Sequence, residues 1–209
     1  MSGPVGVVLA GGRGSRLGGE GKAGLDLAGR PLLAYVLEAL TGALDEVAIA
    51  AKASTELPGA SDGTTVHVPG RAGRVPLWTE PDEPHHPLTG LRHALRRAEG
   101  RAVLACAVDL PLITPSLVEL IATADADGAP AVVPVTGTRL QPLLARYEPA
   151  ALATLDAAGP DAPLAAAVQA LEPRTIEPAD PELFLSVNSH EDLEEAAAEL
   201  RRRRRTGAR

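Results

Sequence analysis

Apolar residues fall along this chain in short runs that alternate with longer stretches of helical spacing. Val5–Leu9 is a Val-rich run without a polar position, the pattern of a strand covered on both faces, and it is too short for a helix. Positions 31–40 (PLLAYVLEAL) place apolar residues at helical spacing, with Pro31 suited to a first turn. Residues 46–51 and 102–108 read as two further buried strands, and 89–99 as a helix with Leu91, Ala94, Leu95 and Ala98 on one face. Thr114 is set to cap a helix that has Pro115 in its first turn and runs towards 126. Strands are expected at 131–135 and 140–147, as a hairpin or as sheet neighbours, with short helices at 149–157 and 164–171 and a last strand at 184–187. Ser189 with Asp192 three places on is a capping-box arrangement opening a final helix. Between 52 and 80 glycines and prolines break the pattern, and only 66–68 and 75–79 look like strands, so this stretch reads as a surface excursion.

Alternating strands and helices imply an α/β fold of three layers, α/β/α, with a mainly parallel, Rossmann-like sheet wrapped on both faces. The expected organisation is a single domain over 1–200 and a basic tail over 201–209, with no internal repeat. Ligands of such sheets sit beyond the carboxyl ends of the strands. That rule puts the loop 11–22, Glu80, Asp109 and Asn188 on one rim.

Composition narrows the picture. A length of 209 residues suits one α/β domain, and a chain 45% hydrophobic but only 2% aromatic must build its core from Ala, Val and Leu. The lone cysteine, Cys106, lies in an apolar run and has no partner for an internal disulfide, which points to the cytoplasm. No early segment is apolar for long enough to be a signal peptide or a membrane span. The net charge is −7 although six arginines crowd the last nine positions, so the body is more acidic still and suits neither nucleic acid nor a membrane as partner. Arg201 to Arg205 read as a solvated helix end whose charges favour the macrodipole. Nothing in the chain sets an oligomeric state, and a monomer is the simplest expectation.

The chemistry concentrates after the first strand. The loop 10–24 carries glycines at 11, 12, 14, 18, 19, 21 and 24, with Arg13, Arg16 and Lys22 among them. Glycines let a ligand approach main-chain N–H groups closely, and a run of such groups flanked by cations suits a polyphosphate. It is not a Walker A loop, because Ala23 follows Gly21-Lys22 where Ser or Thr is required, and Arg16 stands where the first glycine should be. A dinucleotide fingerprint fits poorly too, since Leu17 replaces its third glycine. Asp109 ends an apolar strand, where a carboxylate is costly unless something positive meets it. A hard dication shared with phosphate oxygens would be enough. His85-His86 lack further spaced ligands and read as a polar loop, and Cys106 as core.

Leu9-Ala10-Gly11-Gly12-x-Gly14-x-Arg16-Leu17-Gly18-x-x-x-Lys22, followed by Leu27-x-Gly29-x-Pro31-Leu32, resembles the signature of NTP-dependent nucleotidyltransferases, and most closely the molybdenum cofactor guanylyltransferases. The resemblance extends to Asp109-Leu110-Pro111-x-Ile113, Pro87-Leu88-Thr89-Gly90, Arg139-Leu-Gln141-Pro142-Leu143 and Val187-Asn188-Ser189-x-Glu191-Asp192-Leu193. It implies transfer of GMP from GTP to molybdopterin with release of pyrophosphate, with Mg²⁺ held by Asp109. By the same resemblance Leu9, Ala10, Gly11, Gly12 and Gly14 face the nucleotide, Lys22 and Arg16 stabilise phosphate charge, and Glu80 (or Asp82) lies near the nucleotide. Arg139 and Gln141 face the second substrate, and Asn188 stands near the metal or the pterin.

Three positions depart from that pattern: Gly21 before the lysine, Ala50 where an asparagine is expected, and His86 in place of a glycine. The first two bear on guanine specificity. They leave open a relative with another base or acceptor, of the molybdopterin cytidylyl, phospholactate or sugar-phosphate type. A cytidylyl enzyme more often carries Ala-Ala-Gly at 10–12. A non-catalytic nucleotide-binding module is the remaining alternative, against which Lys22 and Asp109 speak.

Overall fold

The structure is a computed structural model that describes residues 3–11, 21–60, 63–67, 73–160 and 162–207. In chain order its elements are β1 (Val5–Leu9), a 3-10 turn (Lys22–Gly24), β2 (Asp26–Leu27), β3 (Arg30–Pro31), α1 (Leu32–Ala43), β4 (Val47–Lys52), β5 (Thr65–His67), β6 (Arg74–Glu80) and α2 (Pro87–Arg97). There follow β7 (Val103–Ala107), α3 (Pro115–Thr123), β8 (Ala131–Thr136), β9 (Arg139–Leu140), β10 (Leu144–Tyr147), α4 (Ala151–Ala157), α5 (Leu164–Gln169), β11 (Arg174–Ile176), a second 3-10 turn (Pro181–Phe184) and α6 (His190–Gly207).

The main sheet runs β11-β8-β10-β7-β1-β4-β6-β5, with β9 hanging on β8. Its middle, β7-β1-β4-β6, is parallel, with Leu9 level with Ala107 on one side and Ala50 on the other. β10 enters antiparallel between β7 and β8, and β5 closes the far edge antiparallel to β6. The expected mainly parallel sheet is therefore present, with β10, β5 and β9 reversed.

Alternation within the central strands feeds two cores. Val8, Ile49, Ala51, Leu104 and Cys106 face one layer with Leu33, Val36, Leu37 and Leu40 of α1 and Leu117, Val118 and Ile121 of α3. Val5, Val7, Ala50, Val103 and Ala105 face the other, with Leu88, Leu91 and Leu95 of α2, Leu155 of α4 and Val168 of α5. Strands buried on both faces need apolar residues at every position, which is why the strand sequences read as unbroken apolar runs. Small side chains on the strands let helices rich in Leu and Val settle closely, so the core closes almost without aromatic rings. A third cluster, Leu27, Leu32, Tyr35, Leu112, Val187 and Ala196, seats α6 beside the β2–β3 hairpin.

The expected strand at 184–187 is not formed. Pro181 opens a 3-10 turn there, and Asp180 caps it by accepting from the Glu182 N–H at 3.0 Å. Residues 185–188 then cross the rim without a strand partner, burying Phe184 and Val187. The last strand of the sheet is instead β11, an edge piece of three residues beside β8 whose Arg and Thr are exposed and which has no apolar run to announce it. The single strand expected at 140–147 divides into β9 and β10. α6 continues through the arginines to Gly207: Arg202 pairs with Glu182 and Glu199, and Arg203 with Glu199 and Asp180. Among the described residues no helix is long and apolar enough to cross a membrane.

Candidate active site

The carboxyl ends of β1, β4, β6 and β7 open onto one cleft of about 320 Å³, walled on the far side by the start of α2. Leu9, Gly11, Lys22, Lys52, Glu80, His86, Gly90 and Asp109 are among the residues that face it.

At one end the ammonium of Lys22 meets Asp109 Oδ2 at 2.6 Å and Asn188 Oδ1 at 2.7 Å. Each partner arrives for its own reason. Lys22 is fixed at the first residue of a 3-10 turn whose Ala23 is fully buried. Asp109 leaves β7 under main-chain control, as the Val187 N–H donates to its carbonyl at 2.9 Å. Asn188 is held by Asp192, whose Oδ2 accepts from the Asn188 and Ser189 N–H groups at 2.7 and 2.8 Å, while Ser189 Oγ accepts from the Asp192 N–H at 3.2 Å. The capping box expected from the sequence thus also aims a site residue. Those same hydrogen bonds, that of Asn188 first, hold the Asp192 carboxyl below its ordinary range.

At the other end Glu80 closes β6, and Lys52 closes β4 directly beside it in the sheet. Both are almost fully buried, at 6% and 5% exposed. Lys52 donates to the Pro81 carbonyl at 2.6 Å. Burial raises the Glu80 carboxyl above its ordinary range; the Lys52 charge lowers it in part, and Asp82 adds to the rise. The Glu80 carboxylate lies against two bare backbones: a Cβ added at Gly11 would stand 1.9 Å from Oε1, and one at Gly90 2.8 Å from Oε2. A side chain at either position would push the Glu80 carboxylate from its seat.

Leu9 lines the cleft between the two ends, and Ala10 beside it is buried in the core. Leu9 O accepts from Val108 N–H at 3.3 Å, and Ala10 N–H donates to Ala50 O at 2.8 Å. His86 accepts from the Leu88 N–H through Nδ1 at 3.2 Å, so it is the cap of α2, an assignment its loop reading did not include.

The structure thus brings Leu9, Gly11, Lys22, Glu80, Asp109 and Asn188 to one rim. Gly12, Arg13, Gly14 and Arg16 lie outside the described residues. Arg139 sits exposed on β9, and Gln141 Nε2 donates to Thr136 Oγ1 at 2.6 Å, bracing the β8–β9 hairpin; neither faces the cleft. Ala50 is fully buried in the sheet and has no reach into it. Sequence reasoning missed Lys52. Its signal was a charged residue closing the apolar run 47–51, the same kind of signal that drew attention to Asp109. Cys106 is fully buried and burial pushes its thiol up, so it is core as expected.

Among the described residues no group of three or more His, Cys, Asp and Glu side chains is placed to hold a metal ion. A lone strand-end carboxylate does fit a hard dication of the kind that takes one or two protein carboxylates and completes its shell with substrate phosphates and water. Asp109 is that carboxylate here, and Asn188 Oδ1 is a neutral oxygen within the same cluster.

Parallel strand ends, a strand-end acid and a loop lysine meeting it are the arrangement of a nucleotidyltransferase. Comparison with known proteins agrees. Residues 6–175 match the MobA-like NTP transferase domain, and the chain belongs to that family. It is 33% identical over 204 residues to a molybdenum cofactor guanylyltransferase of Cereibacter sphaeroides, covering 94% of this chain and 97% of that one. It is 32% identical over 217 residues to another from Rhizobium meliloti (strain 1021), covering 94% and 92%. In fold it is similar to a nucleotidyl transferase from Methanothermobacter thermautotroptrophicus, with a TM-score of 0.74, 22% identity and coverage of 97% and 99%. It is likewise similar to molybdopterin-guanine dinucleotide biosynthesis protein A from Archaeoglobus fulgidus, with a TM-score of 0.69, 19% identity and coverage of 95% and 99%.

Proposed function

We propose that this enzyme transfers GMP from GTP to molybdopterin, or to its molybdenum form, releasing pyrophosphate. The observation that carries the reading is the Lys22–Asp109 contact of 2.6 Å at the mouth of the parallel strands. It sets a cation and a metal-competent acid within reach of the same phosphates. The curated relatives named as guanylyltransferases support the choice of base and acceptor.

In this reading an oxygen of the acceptor phosphate attacks the α-phosphorus of GTP. A new P–O bond forms, the bond to the β-phosphate oxygen breaks, and pyrophosphate departs with the electron pair. The attacking group is already an anion, so no side chain is required to remove a proton. Lys22 follows the charge that builds on the non-bridging oxygens and the leaving group, and the main chain of 9–11 orients the nucleotide. By the sequence resemblance, Arg16 would join Lys22 in binding phosphate. Asp109, with Asn188 beside it, would hold a divalent ion, Mg²⁺ by the chemistry of its oxygen ligands. When bound, that ion neutralises the triphosphate and polarises the α-phosphate. The acceptor enters from the side of Leu143 and Asn188.

Pyrophosphate release, measured with each of the four NTPs with and without molybdopterin, tests the proposal. Release with GTP, only when acceptor and divalent metal are both present, is the expected result. A preference for CTP would assign the cytidylyl reaction instead, and GTP binding without any pyrophosphate would assign a binding module.

A further inference from the structure

Two charged side chains close adjacent strands at the end of the cleft remote from Asp109, and the phosphate chemistry uses neither. In the order β7-β1-β4-β6, Lys52 lies two strands and Glu80 three strands from the one that ends at Asp109. At about 4.8 Å per strand the end of β4 is on the order of 10 Å away, and the Glu80 carboxylate turns back from β6 to lie against Gly11 at the end of β1, so both groups fall within the span of one nucleotide. With phosphates at Lys22 and Asp109, the ribose crosses the glycine turn at Gly11 and the base meets the ends of β4 and β6.

The donors and acceptors there match one base. Lys52 is 5% exposed, faces the cleft, and commits one of its three N–H donors to the Pro81 carbonyl. Its stem packs on Gly11, where an added Cβ would lie 3.5 Å from Lys52 Cγ, so the ammonium is held rather than free to sweep. Ionised Glu80 offers two acceptor oxygens, fixed between Gly11 and Gly90. Guanine presents a carbonyl acceptor beside two N–H donors, complementary to an ammonium beside a carboxylate. Adenine reverses the pattern at the carbonyl position, setting an amino donor against the ammonium. Ala50, buried in the sheet, contributes no polar group, so reading the base falls to its neighbours.

We propose that Lys52 is the residue of this chain that selects guanine, donating to the base carbonyl while Glu80 accepts from the ring and exocyclic N–H groups. The inference rests on the nucleotidyl-transfer reading above and adds to it the side chain that selects the base.

The test uses the full chain with GTP, ITP (carbonyl and ring N1–H kept, exocyclic amine absent) and 2-aminopurine riboside triphosphate (amine kept, carbonyl and ring N1–H both absent). Nucleotide affinity is measured by calorimetry and kcat and KM by pyrophosphate release. Wild-type protein is expected to bind GTP and ITP about 10-fold or more tightly than the 2-aminopurine nucleotide, since a built donor left unpaired is penalised. Lys52→Met is expected to narrow that difference, by weakening GTP and ITP alone, to the part that the N1–H contact with Glu80 supplies, raising KM while kcat at saturation stays within about threefold. Lys52→Arg, which keeps the charge and donors, is expected to retain part of the preference. If Lys52→Met weakens all three nucleotides equally, Lys52 is a structural peg on Pro81 and the inference falls. A wild type that prefers GTP to ATP yet does not distinguish the 2-aminopurine nucleotide from GTP also overturns it, leaving the transfer reading intact. A wild type that binds no nucleotide sinks both.

Discussion

Lys22 and Asp109 stand 87 positions apart in the chain, yet the ammonium of one lies 2.6 Å from the carboxylate of the other, with their side chains only 17% and 16% exposed. A pair this well shielded is held by the folded loops around it, and its loss separates activity from stability. Asp109→Asn and Lys22→Met are each expected to lower kcat about 10²–10³-fold, as when a preorganised charge is removed from a transition state. The double variant should fall little further, because the two act on one phosphate group. Stability should drop by only about 1–2 kcal/mol in Asp109→Asn, since Asn188 still accepts from Lys22. Pyrophosphate release and thermal melts read the two effects independently.

Gly11→Ala places a methyl carbon 1.9 Å from Glu80 Oε1, so the buried carboxylate must leave its seat. A stability loss of about 1–3 kcal/mol is expected from overpacking, together with a GTP affinity lowered about 10-fold or more as the carboxylate is turned from the base. In a Glu80→Ala background the same glycine change should cost far less stability. Comparing the four melts forms a double-mutant cycle on that contact.

Glu80 also makes stability depend on pH. Its carboxyl is raised in the folded state, chiefly by burial, so between the unfolded and folded values the native protein binds more protons and loses stability as pH rises. Glu80→Gln should therefore be more stable than wild type at pH 8, by on the order of 1 kcal/mol or about 2–4 °C. The gain should shrink as pH falls through the raised folded value and vanish below about pH 4, where both proteins are neutral there. GTP binding should weaken in the same variant, marking a residue kept at a cost to the fold.

Asp192 tests whether a helix cap serves the site. Asp192→Ala removes the acceptor for the Asn188 and Ser189 N–H groups and should cost about 1 kcal/mol. Its pH dependence has the opposite sign to that of Glu80. The cap contribution is complete above the ordinary aspartate range of about 4 and fades as pH falls through the lowered native value. Because Asn188 is the second partner of Lys22, KM for nucleotide should rise severalfold. An unchanged KM would confine Asp192 to the helix.

The arginines of α6 divide into two sets. Arg203 donates to the Leu112 carbonyl at 3.3 Å and pairs with Glu199 and Asp180, so Arg203→Ala should cost about 1 kcal/mol by loosening the helix from the segment after Asp109. Arg204 and Arg205 are exposed on the described surface, and their replacement by Ala should leave the melt within about 0.5 kcal/mol.

Much of this was readable from the residues because the central strands are buried on both faces. Val5–Leu9 and the run ending at Asp109 had to be apolar throughout, and a polar group at such an end stands out. The same rule would have flagged Lys52. Strand β11 was hidden because Arg174 and Thr175 face solvent at the sheet edge and carry no pattern. The segment 184–187 misled because its apolar residues are buried without pairing in the sheet: Phe184 joins the core under α1 and α3, and Val187 the cluster beside the β2–β3 hairpin. Arg146, only 7% exposed within β10, gave no sign in sequence that it would satisfy the Ile121 and Ala122 carbonyls at the end of α3.

The Val187 N–H that donates to the Asp109 carbonyl, with Asn188 next to it, makes completion of the reactive centre wait for residues almost 80 positions downstream of the acid. A ribosome must have delivered the chain through Asn188 before Asp109 acquires the neighbours that aim it. Until then the strand-end acid lacks both its main-chain partner and the neighbouring amide, and a chain cut short before residue 187 should turn over no nucleotide.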